Sequence, residues 1–456
     1  MSNPNETKPF IPHIAILTSS GMGHLTPSFR LAALLANNNC LVTFVTTHLT
    51  VSLAESNSIS SFLSTFPQII SRNFTVLPLD PTSVNSTDPF FLQWETIRRS
   101  AHLLSPLLAS SSPPLTTLVT DMMLASSFVP ATADLCLPNY ILFTSSAKMC
   151  SLFAYFPTAI AAYDSNEKPD IFSNGIHIND SLTIPKSWLP PPLLDPTHLF
   201  ATQFVANGKQ IIESAGILIN TFEGLETESL QSLNRGNIVK GLPQMIPVGP
   251  LAPCDFERGQ GLPWLDNQPD NSVVYVSFGS RTSMSREQIK ELGNGLLTSG
   301  YKFLWVVKDK KVDKDDEDGV EEIVGHEFIE KAKDKGLVVK TWVDQVGILS
   351  HQAVGGFVTH CGWNSVVEAA LCGVPMLAWP QGGDQKINAN VVESRGLGLW
   401  VESWGWGGGE LVKAEEIGTK IRELMINERF KIEAAHVKEK ANNANKNVRA
   451  LINQGL

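Results

Sequence analysis

Short apolar runs alternate with longer stretches of helical spacing from one end of the chain to the other. HIAIL is followed by a Gly-rich turn and then by PSFRLAALLA, whose apolar residues recur at helical intervals. LVTFVTT, FTVLPL, TTLVTD, NYILFTSS and GILINTF continue the series. DPFFLQWETIRRSAHLLSPLLA reads as one helix opened by a capping Asp88 and a first-turn Pro89. The second half repeats the theme with SVVYVSFG, SREQIKELGNGLLTSG, YKFLWVV, GLVVKTWV, GGFVTH and PMLAWP. Strands buried on both faces lack polar alternation, and parallel neighbours are reached through helical crossovers. The pattern predicts an α/β protein with parallel sheets covered by helices on both faces.

With 456 residues the chain is too long for one core. A Pro- and Gly-rich stretch, PVGPLAPCDFERGQGLPWLD, separates the two series, so the boundary is expected near residues 250–262. Two open sheets predict a cleft, with ligands beyond the carboxyl ends of the strands. Gly21–His24, Asp121, Ser280, His360–Ser365, Asp384 and Gln385 all follow strand patterns. The net charge of −10 and the lack of a basic stripe argue against nucleic acid as a partner. The run MCSLFAYFPTAIAAY is about 15 residues, short of the roughly 20 that span a bilayer. The polar N-terminus does not read as a signal peptide. The six cysteines lack metal-site spacing and are expected to be buried thiols in a cytoplasmic protein. KDKKVDKDDEDG reads as a solvated loop and matches a calcium loop poorly; no metal is expected.

The turn SSGMGHLTP could suggest a dinucleotide site. It lacks the third Gly, and the second strand ends FVTTHLT without the acid that would bind ribose. His24, at a helix start facing the expected cleft, is open to a structural or a catalytic reading.

In THCGWNSVVEAALCG a strand runs into a helix. The turn therefore offers free N–H groups and the positive helix end, an anion site, with His360, Asn364 and Ser365 adding donors. Glu368 lies on the helix face of Asn364 and Ser365 and suits neutral hydroxyls such as ribose. Trp342 could stack on a flat base, and Asp384 with Gln385 suits vicinal sugar hydroxyls. Together these describe a nucleotide-sugar.

The segment from Trp342 to Gln385 closely resembles the donor signature of plant UDP-dependent glycosyltransferases of family 1, and GMGHLTP and VSFGS extend the likeness over the chain. The resemblance implies the GT-B fold: an acceptor-binding domain over residues 1–250, a UDP-sugar-binding domain over 251–439, and a last helix at about 440–456 that packs back on the first domain. It assigns Trp342 and Gln345 to uridine and Glu368 to ribose. Ser280, His360, Asn364 and Ser365 go to diphosphate, and Trp363, Asp384 and Gln385 to the sugar, with Gln385 favouring glucose. Asp344 departs from the usual Pro. Arg281 departs from a small residue, and reads equally as a diphosphate contact or a surface side chain. UDP-glucose is a substrate, and no cofactor is implied; a monomer is expected.

In this family the reaction inverts the anomeric carbon. His24 matches the catalytic base and Asp121 its orienting partner; Asp121 also reads as a helix cap. Phe90, Phe91, Trp94, Met122, Met123, Phe143, Met149, Phe153, Tyr155 and Phe156 could wall a phenolic pocket, although most such side chains are core. Asp88, Phe90, Met122, Phe143 and Met149 are taken as acceptor candidates. Asp88-Pro89-Phe90 resembles a motif of the flavonoid C-glycosyltransferases. It implies a C-glucoside on a phloroglucinol-type ring, as in a dihydrochalcone or 2-hydroxyflavanone; a phenolic O-glucosyltransferase is the alternative.

Overall fold

The computed structural model describes residues 11–47, 50–163, 172–173, 175–259, 261–308, 319–341 and 343–453, the last nine of them as backbone. Seven parallel strands form the first sheet: β1 His13–Leu17, β2 Leu41–Thr47, β3 Ile70–Phe74, β4 Thr117–Asp121, β5 Asn139–Phe143, β8 Gly216–Ile219 and β9 Met245–Pro247, in the order 3-2-1-4-5-8-9. A small hairpin, β6 Ile176–Asn179 and β7 Leu182–Ile184, stands apart. The second sheet holds β10 Val273–Ser277, β11 Lys302–Val306, β12 Gly336–Val339, β13 Val354–Thr359, β14 Met376–Ala378 and β15 Gly398–Trp400, in the order 12-11-10-13-14-15. Both sheets are doubly wound, as the GT-B fold requires.

The central strands β1, β10 and β13 are buried along their whole length, which is why they read as unbroken apolar runs. One face of the first sheet is closed by the Met22–Ala36 helix, where Phe29 stacks on Phe62 with ring centroids 4.6 Å apart. The Glu428–Asn453 helix packs on both the Glu223–Asn234 helix and the Trp363–Cys372 helix, and so touches both halves of the molecule.

Three expectations are corrected. The third strand is Ile70–Phe74 rather than FTVLPL, because Pro78 cannot donate to a ladder. The long helix after Asp88 breaks at Ser100 into Pro89–Arg99 and Leu104–Ala109. A helix running through would set the Pro106 ring against the His102 carbonyl. Cys136 is exposed in a turn at φ 50°, so not all six thiols are buried.

The loop after β5 is fixed from below by Glu226. Its carboxylate accepts from Ala147 N at 2.8 Å, Lys148 N at 3.0 Å and Thr221 Oγ1 at 2.8 Å, capping the Ala147–Tyr163 helix from another part of the chain. Burial pushes Glu226 up from 4.5 to about 7, against the pull of those hydrogen bonds and Lys148. The folded state therefore holds this proton more tightly than the unfolded chain does. That contribution is complete below about 4.5 and is lost as pH rises through about 7. Glu226→Gln cannot titrate, so its stability relative to the parent should rise across this window and level off above it. Denaturant unfolding at a series of pH values checks this; a difference independent of pH would count against the burial argument.

Candidate active site

The carboxyl ends of both sheets open onto one interdomain cleft, and the polar side chains found there come from both halves. Gly21, at φ 100°, closes the turn that follows β1 and stands at the N-cap of the Met22–Ala36 helix. Its N–H is held at 2.5 Å by Glu55, a buried carboxylate that also closes its own capping box with Ser52. This anchors the turn that presents His24.

His24 Nδ1 lies 2.8 Å from Asp121 Oδ2 and 3.1 Å from Thr144 Oγ1. The Asp121 side chain is wholly shielded and its other oxygen accepts from Met123 N at 2.9 Å. The two readings of Asp121 thus hold at once: one oxygen caps a turn, the other orients an imidazole. With Nδ1 engaged, Nε2 is the nitrogen left to take a proton. The Trp94 ring meets the imidazole edge-to-face at 5.1 Å and is itself pinned by Nε1 donating to Ser20 O at 3.0 Å.

Across the cleft, the Trp363–Cys372 helix opens at Gly362 without a side-chain cap, so its first N–H groups stay available to an anion. His360 sits over Gly279 and Gly362; a Cβ at Gly279 would lie 2.5 Å from its Nε2. Burial pushes the ring down to about 4, so it is neutral near pH 7, and its Nδ1 has no hydrogen-bond partner among the described residues. Gln345 Nε2 donates to Ser365 Oγ at 3.0 Å and to Glu368 Oε2 at 2.7 Å, joining three expected nucleotide contacts in one network. Asp344, where a Pro was expected, caps the Gln345–Ser350 helix through Gly347 N at 2.7 Å. Gln385 Oε1 accepts from Gln381 N and Gly382 N at 2.7 and 2.9 Å, which fixes the orientation of its amide. Asp384 accepts from Asn388 at 2.8 Å and from Ser145 of the first half. Asn364 Nδ2 donates to Gly23 O at 3.3 Å, and Ser280 O accepts from Lys308. Trp342 lies outside the described residues.

The Trp363 indole is buried and donates to Asn220 O at 2.8 Å, so this side chain also joins the two halves. Phe143 and Met149 belong to the core around the Ala147–Tyr163 helix, with Phe143 edge-on to Phe153, and Met122 is buried in the same cluster. Phe90 is buried as well, 3.6 Å from where a Gly21 Cβ would stand. Sequence reading missed Thr144, Ser145, Glu55 and Arg30. The hydroxyl run Thr144-Ser145-Ser146 at the end of β5 was the available signal for the first two.

Arg281 is neither a lone surface side chain nor free in the cleft. Its Nη2 lies 3.2 Å from both Asp88 oxygens and its guanidinium stacks on Phe90 at 3.9 Å. Asp88 meanwhile caps the Pro89–Arg99 helix through Phe90 N at 2.9 Å. Among the described residues no cluster of three or more His, Cys, Asp or Glu side chains could hold a metal.

Residues 253–434 match the family model of UDP-glucoronosyl and UDP-glucosyl transferases. UDP-glycosyltransferase 708G2 of Citrus unshiu is 54% identical over 95% of this chain and 93% of its own. UDP-glycosyltransferase CGT of Oryza sativa subsp. indica is 45% identical, over 94% and 92% respectively. The crystal structure of LpCGTa in complex with UDP superposes with a TM-score of 0.84 at 46% identity, covering 97% of this chain and 99% of that one.

The Asp88–Arg281 pair is about one-third exposed on each side, so solvent screens it. A double-mutant cycle of Asp88→Ala and Arg281→Ala, read by unfolding, should give a coupling of about 0.5–1 kcal/mol that shrinks with added salt. Additive single effects would mean that the ion pair contributes nothing.

Proposed function

The chain belongs to the family of UDP-glucoronosyl and UDP-glucosyl transferases, and we propose that it joins glucose from UDP-glucose to a ring carbon of a phloroglucinol-type phenol, with residues 1–250 holding the acceptor and 251–439 the donor. It is a plant UDP-glycosyltransferase similar to the CGT enzymes. The observation that carries the chemical reading is the His24–Asp121 contact at 2.8 Å between a helix-start imidazole and a fully shielded carboxylate. That carboxylate fixes the tautomer and stabilises the imidazolium that forms when Nε2 accepts a proton.

The donor residues supply the other half. Glu368 would accept from ribose hydroxyls. The uncapped end of the Trp363–Cys372 helix, with Asn364, Ser365, Ser280 and neutral His360, would receive the diphosphate. Asp384 and the Gln385 amide nitrogen would hold the hexose. His24 takes a phenolic proton, and the phenolate raises electron density at the ortho carbon. That carbon attacks the anomeric carbon from the face opposite UDP. A C–C bond forms and the C–O bond to UDP breaks with its electron pair leaving on the β-phosphate. The resulting dienone regains aromaticity when its ring C–H proton passes through solvent to the ring oxygen, and His24 releases the phenolic proton to solvent. The same base serves attack by oxygen. What decides is which atom the pocket brings to about 3–3.5 Å of the anomeric carbon. The likeness to the CGT relatives and the Asp88-Pro89-Phe90 motif support attack by carbon.

His24→Ala should lower turnover by about 10²–10⁴-fold while calorimetric UDP affinity stays near the parent's, since His24 lies on the acceptor side. Retained turnover, or lost UDP affinity, removes the base assignment. The linkage is read from the product of UDP-glucose and a dihydrochalcone heated in dilute acid. A C-glucoside survives, whereas release of glucose and parent phenol makes the protein an O-glucosyltransferase.

A further inference from the structure

Arg30 is the one charge within the apolar helix stretch PSFRLAALLA, six residues after His24 on the same helix. Its side chain is buried at 4% exposure. The guanidinium grips Glu257 with Nε at 3.1 and 3.0 Å and Nη2 at 2.7 Å, and the same Nη2 reaches Glu368 Oε1 at 2.7 Å. Glu257 lies in the segment that joins the two sheets, and Glu368 on the donor-side helix. The other Glu368 oxygen is held by Gln345 at 2.7 Å.

We propose that Arg30 is a positioning residue that, from the acceptor-side half, holds the Glu368 carboxylate aimed at the ribose hydroxyls of the donor nucleotide. This rests on the reading of Glu368 as the ribose carboxylate. Two carboxylates bonded to one guanidinium nitrogen are close neighbours at a largely buried contact. Without the cation their mutual repulsion would turn Glu368 away from Glu257 and out of the orientation that faces the ribose. With Arg30 on one oxygen and Gln345 on the other, the carboxylate plane is fixed and each oxygen keeps acceptor capacity. Burial alone would lower the guanidinium pKa; Glu368 first, then Glu257, more than reverses this.

A residue that only bolts the two halves together would weaken every nucleotide alike. The test is therefore calorimetric binding of UDP and of 2′-deoxy-UDP to the full chain and to Arg30→Gln. The parent is expected to prefer UDP by roughly 10–100-fold, the worth of a hydrogen bond to a charged group. In Arg30→Gln that ratio should fall toward one, mainly through loss of UDP affinity. Equal weakening of both nucleotides, with the ratio kept, overturns the proposal. Should Arg30→Gln not fold, Arg30→Lys serves. One ammonium cannot reproduce the fork on two carboxylates, so the ratio should fall several-fold, and an unchanged ratio overturns the proposal equally. A parent that does not discriminate the two nucleotides overturns the ribose reading of Glu368, and the proposal with it; that failure shows in the unmutated protein and is thereby distinct.

Discussion

A charge removed from water must find a partner, and this chain buries several of its charges along one interdomain cleft. Arg30 meets Glu257 and Glu368, Asp121 meets His24, and Glu226 meets two helix-start N–H groups and a hydroxyl. Each pairing fixes an element that carries chemistry. The His24 turn, the β5 loop with Thr144 and Ser145, and the donor-side helix with Glu368 are each held by a buried carboxylate or guanidinium whose own position is over-determined. The topology forces this. In parallel sheets all strand carboxyl ends lie on one edge, so the loops that must carry polar groups converge, and two such edges face each other.

The elements were legible because parallel strands buried on both faces read as apolar runs and helix ends carry capping residues. SREQIKELGNGLLTSG is the clear case: Ser285 caps the helix through Gln288 N, and Gly300 ends it at φ 81°. Reading failed where packing outweighed pattern. FTVLPL has strand composition, yet the edge strand formed upstream, where no proline interrupts the ladder. The helix after Asp88 looked continuous because the cost of Pro106 falls four residues earlier, on a carbonyl that periodicity does not see.

The site was legible as a collection of residues and only partly as an arrangement. His24, Asp121, Ser365 and Asp384 were named from their places after strands, Glu368 from its helix face and Gln345 from the family resemblance. Beyond the His24–Asp121 pair, which the resemblance supplied, their partners were not named, because those partners lie far away in sequence. Arg30 and Glu368 are 338 residues apart, and Asp88 and Arg281 193. Aromatic and Met side chains were the weakest signal. Burial in a core and contact with a flat ligand call for the same residue types, so composition alone could not sort Phe90, Phe143 and Met149, all of which the fold buries. Trp363, inside the donor-like signature, also donates its indole N–H to Asn220 of the opposite half, a contact no local pattern announces.

One helix ties these strands of argument together. Met22–Ala36 carries His24 in its first turn and Arg30 near its middle, so the proposed proton acceptor and the proposed clamp on Glu368 ride on one helix. At 1.5 Å per residue the two lie about 9 Å apart along the axis, a spacing that hydrogen-bonded backbone holds firmly. Near-attack geometry tolerates errors of well under 1 Å between acceptor and anomeric carbon. Loops docking independently would meet that tolerance poorly. A single helix pinned at Asp121 on one side of the cleft and at Glu368 on the other meets it by construction. Arg281, stacked on Phe90 and paired with Asp88, supplies a further contact between the two halves. Under the proposed chemistry the choice between carbon and oxygen of one phenolate turns on a shift of one bond length, and a scaffold braced at three points between the halves is what could hold a ring to that precision.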